Sequence, residues 1–118
     1  MIRQMKTYLI LIREPDGRAT IPSAEETRQH QLDWKAWIDD LLAKGHWEGG
    51  QSLTLAGKVI RPTASGPEIT EGLYRVNGQE IVGGYLLLKA TDFDEAVALM
   101  QTCPVFDTDG FVEIRETR

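Results

Sequence analysis

The sequence predicts an α+β fold in a single domain, and three observations support this prediction. Two segments, residues 5–13 and 81–89, are strongly apolar, as strands buried in a sheet are. Each is followed by the start signals and apolar spacing of an amphipathic helix. The length of 118 residues fits one hydrophobic core and leaves no room for two.

The first strand is predicted at residues 5–13, where MKTYLILIR is almost continuously apolar. It ends at residues 14–17 (EPDG), a turn signal because proline presets φ and glycine tolerates positive φ. Ser23 and Glu26 then have the spacing of a capping box, which predicts that a helix begins near Ala24.

This helix is predicted to span residues 24–44. Its apolar residues recur at the spacing of one buried stripe, which consists of Trp34, Trp37, Ile38, Leu41 and Leu42. Lys44 supplies a positive charge to the last turn, and Gly45 favours a left-handed cap.

The middle of the chain predicts a peripheral hairpin region from two shorter strands, at residues 46–55 and 58–63. Pro62, Gly66 and Pro67 favour a loop or a sheet edge, because proline cannot donate a hydrogen bond to a neighbouring strand. A further tight hairpin is predicted at residues 76–79 (VNGQ).

The second apolar strand, residues 81–89, contains Gly83-Gly84, which favours a β-bulge or the close approach of another backbone. Thr91 or Asp92 caps the second helix, and Pro104 ends it. The apolar face of this helix comprises Phe93, Ala96, Val97 and Met100. The alternating residues 111–115 predict the last strand.

The predicted order is therefore β-α-β-β-α-β with an inserted hairpin, which is the ferredoxin-like order, with two helices on one face of a mostly antiparallel sheet. The opposite face of such a sheet needs a cover. A second copy of the chain could supply its own sheet, so we expect a homodimer with a dimeric α/β-barrel-like assembly.

Composition and charge exclude several function classes. The net charge is −5, and the 13 Lys and Arg residues are scattered, so we expect no nucleic-acid partner. The longest apolar run, Tyr8 to Ile12, is too short to span a membrane, and the N-terminus lacks the pattern of a signal peptide. With the lone cysteine, Cys103, these features predict a cytoplasmic protein without a membrane partner.

Several short motifs follow one another along nearly the whole chain. They are MKTYLILI, the helix with His30, Trp34 and Trp37, the Gly45 cap followed by Gly49-Gly50, Gly83-Gly84-Tyr85-Leu86, Asp92-Phe93-Asp94-Glu95-Ala96, Cys103-Pro104 and Val112-Glu113-Ile114-Arg115. In this order they resemble the YCII-related family, in particular its branch named for an Asp-Gly-Pro-Phe motif. That motif falls at Glu71-Gly72-Leu73-Tyr74, where only the glycine is kept.

The resemblance implies a ferredoxin-like protein that pairs into a dimer with a sheet-lined core. Several members of the family carry a His–Asp pair suspected of catalysis, some relatives act on chlorinated aromatic breakdown products, and branch members are often linked to sigma factors. The histidine of that pair matches His30, whereas Cys103 stands at the position of the aspartate. A thiol orients an imidazole less strongly than a carboxylate does.

His30 is the first candidate for a catalytic residue. Helical periodicity places it on the same face as Trp34, Trp37 and Leu41, so it points inward. One interpretation is a general base, walled by tryptophan, that takes a proton from a small planar or hydroxylated ligand. The other is a half-buried histidine that is hydrogen-bonded to the backbone and has no catalytic role.

The other candidates also have two interpretations each. Cys103 could be a nucleophile or the partner of His30, or it could pack as a small apolar residue. Trp34, Tyr74 and Tyr85, with Trp47, could line a ligand pocket, or they could belong to the core or the dimer interface. His46 is interpreted as a solvated residue at a strand end. Histidine and cysteine have no clustered spacing, so no metal is predicted.

Two function classes fit these residues. The first is a cofactor-free small-molecule enzyme of the lyase or isomerase type that uses His30 for proton transfer, and it predicts a partly apolar pocket beside His30. The second is a non-catalytic ligand-binding or regulatory dimer linked to transcription. It predicts that the chain itself satisfies His30 and that no pocket opens onto it.

Overall fold

The structure is a computed structural model that describes residues 4–16 and 22–118. The strands in these ranges are β1 (Lys6–Pro15), β2 (Trp47–Ser52), β3 (Lys58–Thr63), β4 (Gly66–Glu71), β5 (Glu80–Ala90) and β6 (Phe111–Glu116). The helices are α1 (Ala24–Ala43), α2 (Phe93–Met100) and a 3-10 helix (Pro104–Thr108). The prediction of an α+β fold is confirmed.

The main sheet has the strand order β2-β5-β1-β6, and all its neighbours are antiparallel. The two most apolar strands, β1 and β5, occupy the centre, because only there do both edges of a strand find partners. Ile10 lies opposite Leu86 on one side and Ile114 on the other. Side chains alternate along a strand, so these residues share one face of the sheet, which is the face that meets the helices.

The hydrophobic core lies between this face and the helices. It is built from the fully buried side chains of Tyr8, Ile10 and Leu88 on the sheet and of Leu41, Ala96 and Met100 on the helices. Trp34 and Trp37 pack against it from α1 while remaining partly exposed. Within the described residues, no helix is long and apolar enough to cross a membrane.

The start of α1 follows the sequence prediction. The Ser23 hydroxyl accepts a hydrogen bond from the Glu26 backbone N–H, and the Glu26 carboxylate accepts one from the Ser23 N–H, which completes the capping box. Gly45 has φ +79°, as predicted for a left-handed cap. Leu42 does not belong to the buried stripe that was predicted for α1. It is 52% exposed, whereas its neighbour Leu41 is buried. Of the predicted turn at residues 14–17, Gly17 lies outside the described residues.

The middle of the chain differs from its prediction. Strand β2 joins the main sheet as an edge strand, and β3 pairs with β4 in a two-stranded sheet of its own. The prolines do not prevent this pairing, because Pro62 lies directly opposite Pro67. At a position of an antiparallel pair where the two facing residues form no hydrogen bonds with each other, the missing N–H of proline removes nothing from the pairing. The tight turn at residues 76–79 is present, with Asn77 and Gly78 both at positive φ and a bridge between Val76 and Glu80.

Candidate functional site

A cleft of about 530 Å³ lies between α1 and the helix-covered face of the main sheet. We call it the His30 cleft. The helix wall is formed by His30, Gln31, Trp34 and Ile38. The sheet supplies Ile12, Glu14, Trp47, Gly50, Gln51, Ser52, Gly83, Gly84, Tyr85 and Leu86. Val105 and Thr108 of the 3-10 helix complete the lining, so five separate elements of the chain, β1, α1, β2, β5 and the 3-10 helix, meet at one place.

His30 and Trp34 stand one helical turn apart and contact each other. The Trp34 indole Nε1–H donates a hydrogen bond to His30 Nε2 at 3.0 Å. Their rings meet edge to face at 87°, and Trp34 meets Trp37 in the same manner at 86°. Because residues three or four apart share one face of a helix, this row of rings follows directly from the positions of the three residues in the sequence.

The hydrogen bond defines which imidazole nitrogen is free. An indole N–H can only donate, so Nε2 of His30 must be the unprotonated nitrogen and Nδ1 must carry the proton. No residue of the described ranges bonds to Nδ1. In this state His30 offers a ligand a hydrogen-bond donor, while Trp34 occupies the nitrogen that could accept a proton.

Glycines form the floor of the cleft. Strand β5 has a bulge opposite the Ile12–Arg13 step, where Ile12 pairs with Gly84, Arg13 pairs with Val82, and Gly83 has no partner on β1. A Cβ atom on Gly84 would lie 2.9 Å from the backbone oxygen of Gln51, so only glycine fits there. The structure therefore contains both features that were expected from Gly83-Gly84, a bulge and a close backbone approach.

Gly50 gives room to an aromatic wall of the cleft. A Cβ atom at this position would lie 2.6 Å from the Tyr85 backbone oxygen and 3.0 Å from Cη2 of the Trp47 indole. The missing side chain thus lets β2 approach β5 closely and lets the Trp47 ring lie over the strand. Trp47 and Trp34 form indole surfaces on the sheet and helix sides of the cleft.

Glu14 is a site residue that sequence reasoning missed. Its side chain occupies the space beside Gly83, where a Cβ atom would overlap the carboxylate. No residue within 4–16 or 22–118 forms a hydrogen bond or ion pair with this carboxylate. The glycine pair in the sequence indicated a bulge, but it did not indicate which residue would lie beside it. Gly83 comes to lie beside Glu14 through the pairing of β1 with β5, two strands that are far apart in the chain.

The structure brings together some of the predicted pocket residues and separates others. His30 and Trp34 line the cleft with their side chains, and Tyr85 lines it as well. Strand alternation, however, directs the Tyr85 side chain to the opposite face of the sheet, because its neighbours Gly84 and Leu86 face the helices. Tyr74 does not line the cleft. Its ring is 63% exposed and lies 5.5 Å from the guanidinium of Arg61.

Cys103 borders a different depression from the one that contains His30. It is 2% exposed and borders a second, shallower depression beside Trp37 and Thr102. Burial raises the pKa of the Cys103 thiol to about 11, and the nearby Asp107 carboxylate acts in the same direction. The thiol is therefore neutral and poorly nucleophilic at physiological pH. Cys103 does not line the His30 cleft, and the hydrogen-bond partner of the His30 ring is Trp34.

His46, the second histidine, contacts the backbone. Its Nδ1 lies 2.8 Å from the carbonyl oxygen of Lys89, to which it donates, and the residue is partly buried instead of fully solvated. In the described part of the chain, no group of three or more His, Cys, Asp or Glu residues could hold a metal ion.

Comparisons with known proteins provide no relative from which a role of the His30 cleft could be inferred. No model of a known protein family matches the chain, and a search of curated proteins finds no match.

Proposed function

We propose that this protein is a cofactor-free small-molecule enzyme of the lyase or isomerase type, in which His30 transfers a proton to or from a ligand bound in the His30 cleft. The observation that carries the proposal is that a cleft of about 530 Å³ opens onto His30. Its size lies within the usual range for sites of small ligands, and its lining combines apolar and aromatic residues with a few polar groups.

The chemistry that His30 can perform depends on Trp34. In the tautomer that this hydrogen bond requires, Nδ1–H can donate a hydrogen bond to a ligand oxygen and polarise it, as a neutral imidazole does in some isomerases. To act as a base, Nε2 must accept a proton, which requires the Trp34 indole N–H to turn away. Ligand binding between the two rings would supply the energy for that movement.

A second candidate function is a non-catalytic ligand-binding or regulatory dimer linked to transcription. The observation that favours it is the hydrogen bond from Trp34 to His30 Nε2, because it occupies the nitrogen that a base would use. In this case the same cleft binds the ligand, and His30 recognises it through Nδ1–H without a chemical step.

Proton transfer can be tested by isotope exchange. Small phenols and hydroxylated carbonyl compounds that move the His30 ring signals in NMR spectra are incubated with the protein in D2O. The enzyme proposal predicts incorporation of deuterium at a carbon atom, slowed by about 100-fold in the His30→Asn variant, which is the usual effect of removing a general acid or base. Equal exchange with the wild type, the variant and buffer, despite binding, would favour the regulatory function.

We further propose that this chain has a ferredoxin-like fold, that it is related to the YCII family, and that it acts in the cytoplasm as a homodimer. The strand order β2-β5-β1-β6 with both helices on one face supports the ferredoxin-like assignment. The opposite face of the sheet supports the dimer. It carries the half-buried residues Leu9, Leu11, Tyr85 and Leu87, and no described helix covers it.

A further inference from the structure

The His30 cleft has an uneven distribution of charge. Among its described lining residues, Glu14 is the one with a formal negative charge, and neither lysine nor arginine contributes to the lining. The remaining polar side chains, which include Gln31, Ser52 and Thr108, are uncharged, and His30 Nε2 accepts the hydrogen bond from the Trp34 indole. An anionic ligand would therefore meet a carboxylate and no compensating cation.

The Glu14 carboxylate is positioned to receive a partner. The Glu14 carboxylate lies in the space that is left because Gly83 has no side chain. No described residue forms an ion pair with this carboxylate. By contrast, Glu113 on the opposite face of the sheet is paired with Arg13 at 2.9 Å. A half-buried carboxylate without a cation binds an ammonium group through a charge-assisted hydrogen bond, which is among the stronger polar contacts in proteins.

The walls of the cleft suit the remainder of such a ligand. The indoles of Trp34 and Trp47 present aromatic surface, which attracts both planar apolar groups and organic cations. Ile12, Ile38 and Leu86 add aliphatic surface. A ligand with a planar apolar body and a protonated amine would thus find a partner for each of its parts.

We propose that the His30 cleft selects cationic amines with an aromatic body, and that Glu14 binds the ammonium group. This inference rests on the proposed function only insofar as the cleft must bind a small molecule. It does not require that His30 transfers a proton.

The test uses three probes of similar size and different charge: 2-phenylethylamine, 2-phenylethanol and 3-phenylpropanoate. Binding to the full-length protein is measured by NMR titration, with the His30 ring signals as the reporter. We expect the amine to bind about ten-fold more tightly than the alcohol, an effect typical of one charge-assisted hydrogen bond, and the carboxylate to bind most weakly. Added salt should reduce the preference for the amine.

Variants then assign the effect to Glu14. Glu14→Gln should bring the affinity for the amine to within about two-fold of that for the alcohol, because the charge is lost while the shape is kept. Gly83→Ala should weaken amine binding as well, because the new Cβ atom displaces the carboxylate. The control is Glu68→Gln, which makes the same change of charge on the exposed strand β4 and should leave the preference intact.

The outcomes separate the two proposals. If the carboxylate binds as tightly as the amine, or if Glu14→Gln keeps the preference for the amine, the inference is overturned while a ligand-binding cleft stands. If none of the three probes moves the His30 signals, the inference is likewise overturned, whereas the proposed function is decided by the isotope-exchange experiment with phenols and hydroxylated carbonyl compounds.

Discussion

At the scale of single residues, the hydrogen bond between Trp34 and His30 decides what the imidazole can do. Free histidine prefers to carry its proton on Nε2, whereas the Trp34 indole requires Nε2 to be unprotonated. The tautomer of His30 is therefore a direct readout of the geometry of the site.

Trp34→Phe should change this tautomer, because the variant keeps an aromatic ring but loses the N–H donor. We expect the His30 nitrogen signals to show Nδ1–H in the wild type and a shift toward Nε2–H in the variant, measured by ¹⁵N–¹H NMR of the imidazole. Trp37→Phe is the matched control, since the Trp37 indole donates to Thr102 Oγ1 at 3.1 Å and not to histidine. The same tautomer in all three proteins would contradict the assignment.

Cys103 provides a prediction of pH dependence. The folded pKa of about 11 lies above the value of 9.0 for an ordinary thiol, so the folded state holds its proton more strongly than the unfolded state. The stabilisation is complete below about pH 9 and is lost as the pH rises toward the folded pKa. Relative to Cys103→Ala, the wild type should lose about 1 kcal/mol of unfolding free energy between about pH 9 and pH 10.

This loss is measured by urea unfolding at a series of pH values, with the difference between wild type and variant as the quantity of interest. All other titratable residues are the same in both proteins, so their effects cancel in the difference. If the two proteins lose stability in parallel, the thiol is not held neutral by burial.

Individual site residues could be predicted from the sequence only where local periodicity determines their direction. His30 and Trp34 were predicted to point inward because both lie on the apolar face of one helix, and the structure places them there. Glu14 could not be found in this way, since its role depends on the bulge at Gly83. Tyr85 was assigned to a pocket on residue type alone, which does not tell the two faces of a strand apart.

At the scale of elements, strands and helices with strong local signals were predicted well. The capping box, the Gly45 cap and the apolar cores of β1 and β5 are local patterns, and each is present. The pairing of β3 with β4 was missed because the prolines suggested a loop. Pairing partners are decided by register over long distances, and the register here places one proline opposite the other.

The glycines of the cleft floor predict different costs of substitution. Gly50→Ala places a Cβ atom 2.6 Å from a backbone oxygen, which cannot move without disturbing the sheet, and should destabilise the fold by roughly 1–3 kcal/mol. Gly83→Ala meets the end of the flexible Glu14 side chain and should cost less than half as much. Thermal or urea unfolding of both variants tests the ranking, and equal costs would contradict the described floor.

At the scale of the whole molecule, the face of the main sheet that no described helix covers predicts self-association. Leu9, Leu11 and Leu87 are half-buried there, in a row that crosses the two central strands. The sheet of a second copy of this chain could cover this face, and such a homodimer would form without any other protein.

Leu87→Lys should convert a dimer to a monomer, because it places a charge in the centre of the proposed interface. Light scattering coupled to size-exclusion chromatography measures the mass. Leu42→Lys is the control, since Leu42 is 52% exposed on α1 and the substitution should leave the mass unchanged. A wild type that is monomeric at high concentration would exclude this assembly.

NMR of the two histidines is the decisive test of whether the His30 cleft binds a small molecule. His30 lines the cleft, whereas His46 is bound to the Lys89 carbonyl outside it and serves as an internal control. During titration with small aromatic alcohols and amines, we expect the ring signals of His30 to move in a saturable manner and those of His46 to stay in place. Ligands that bind the protein without moving the His30 signals would contradict it.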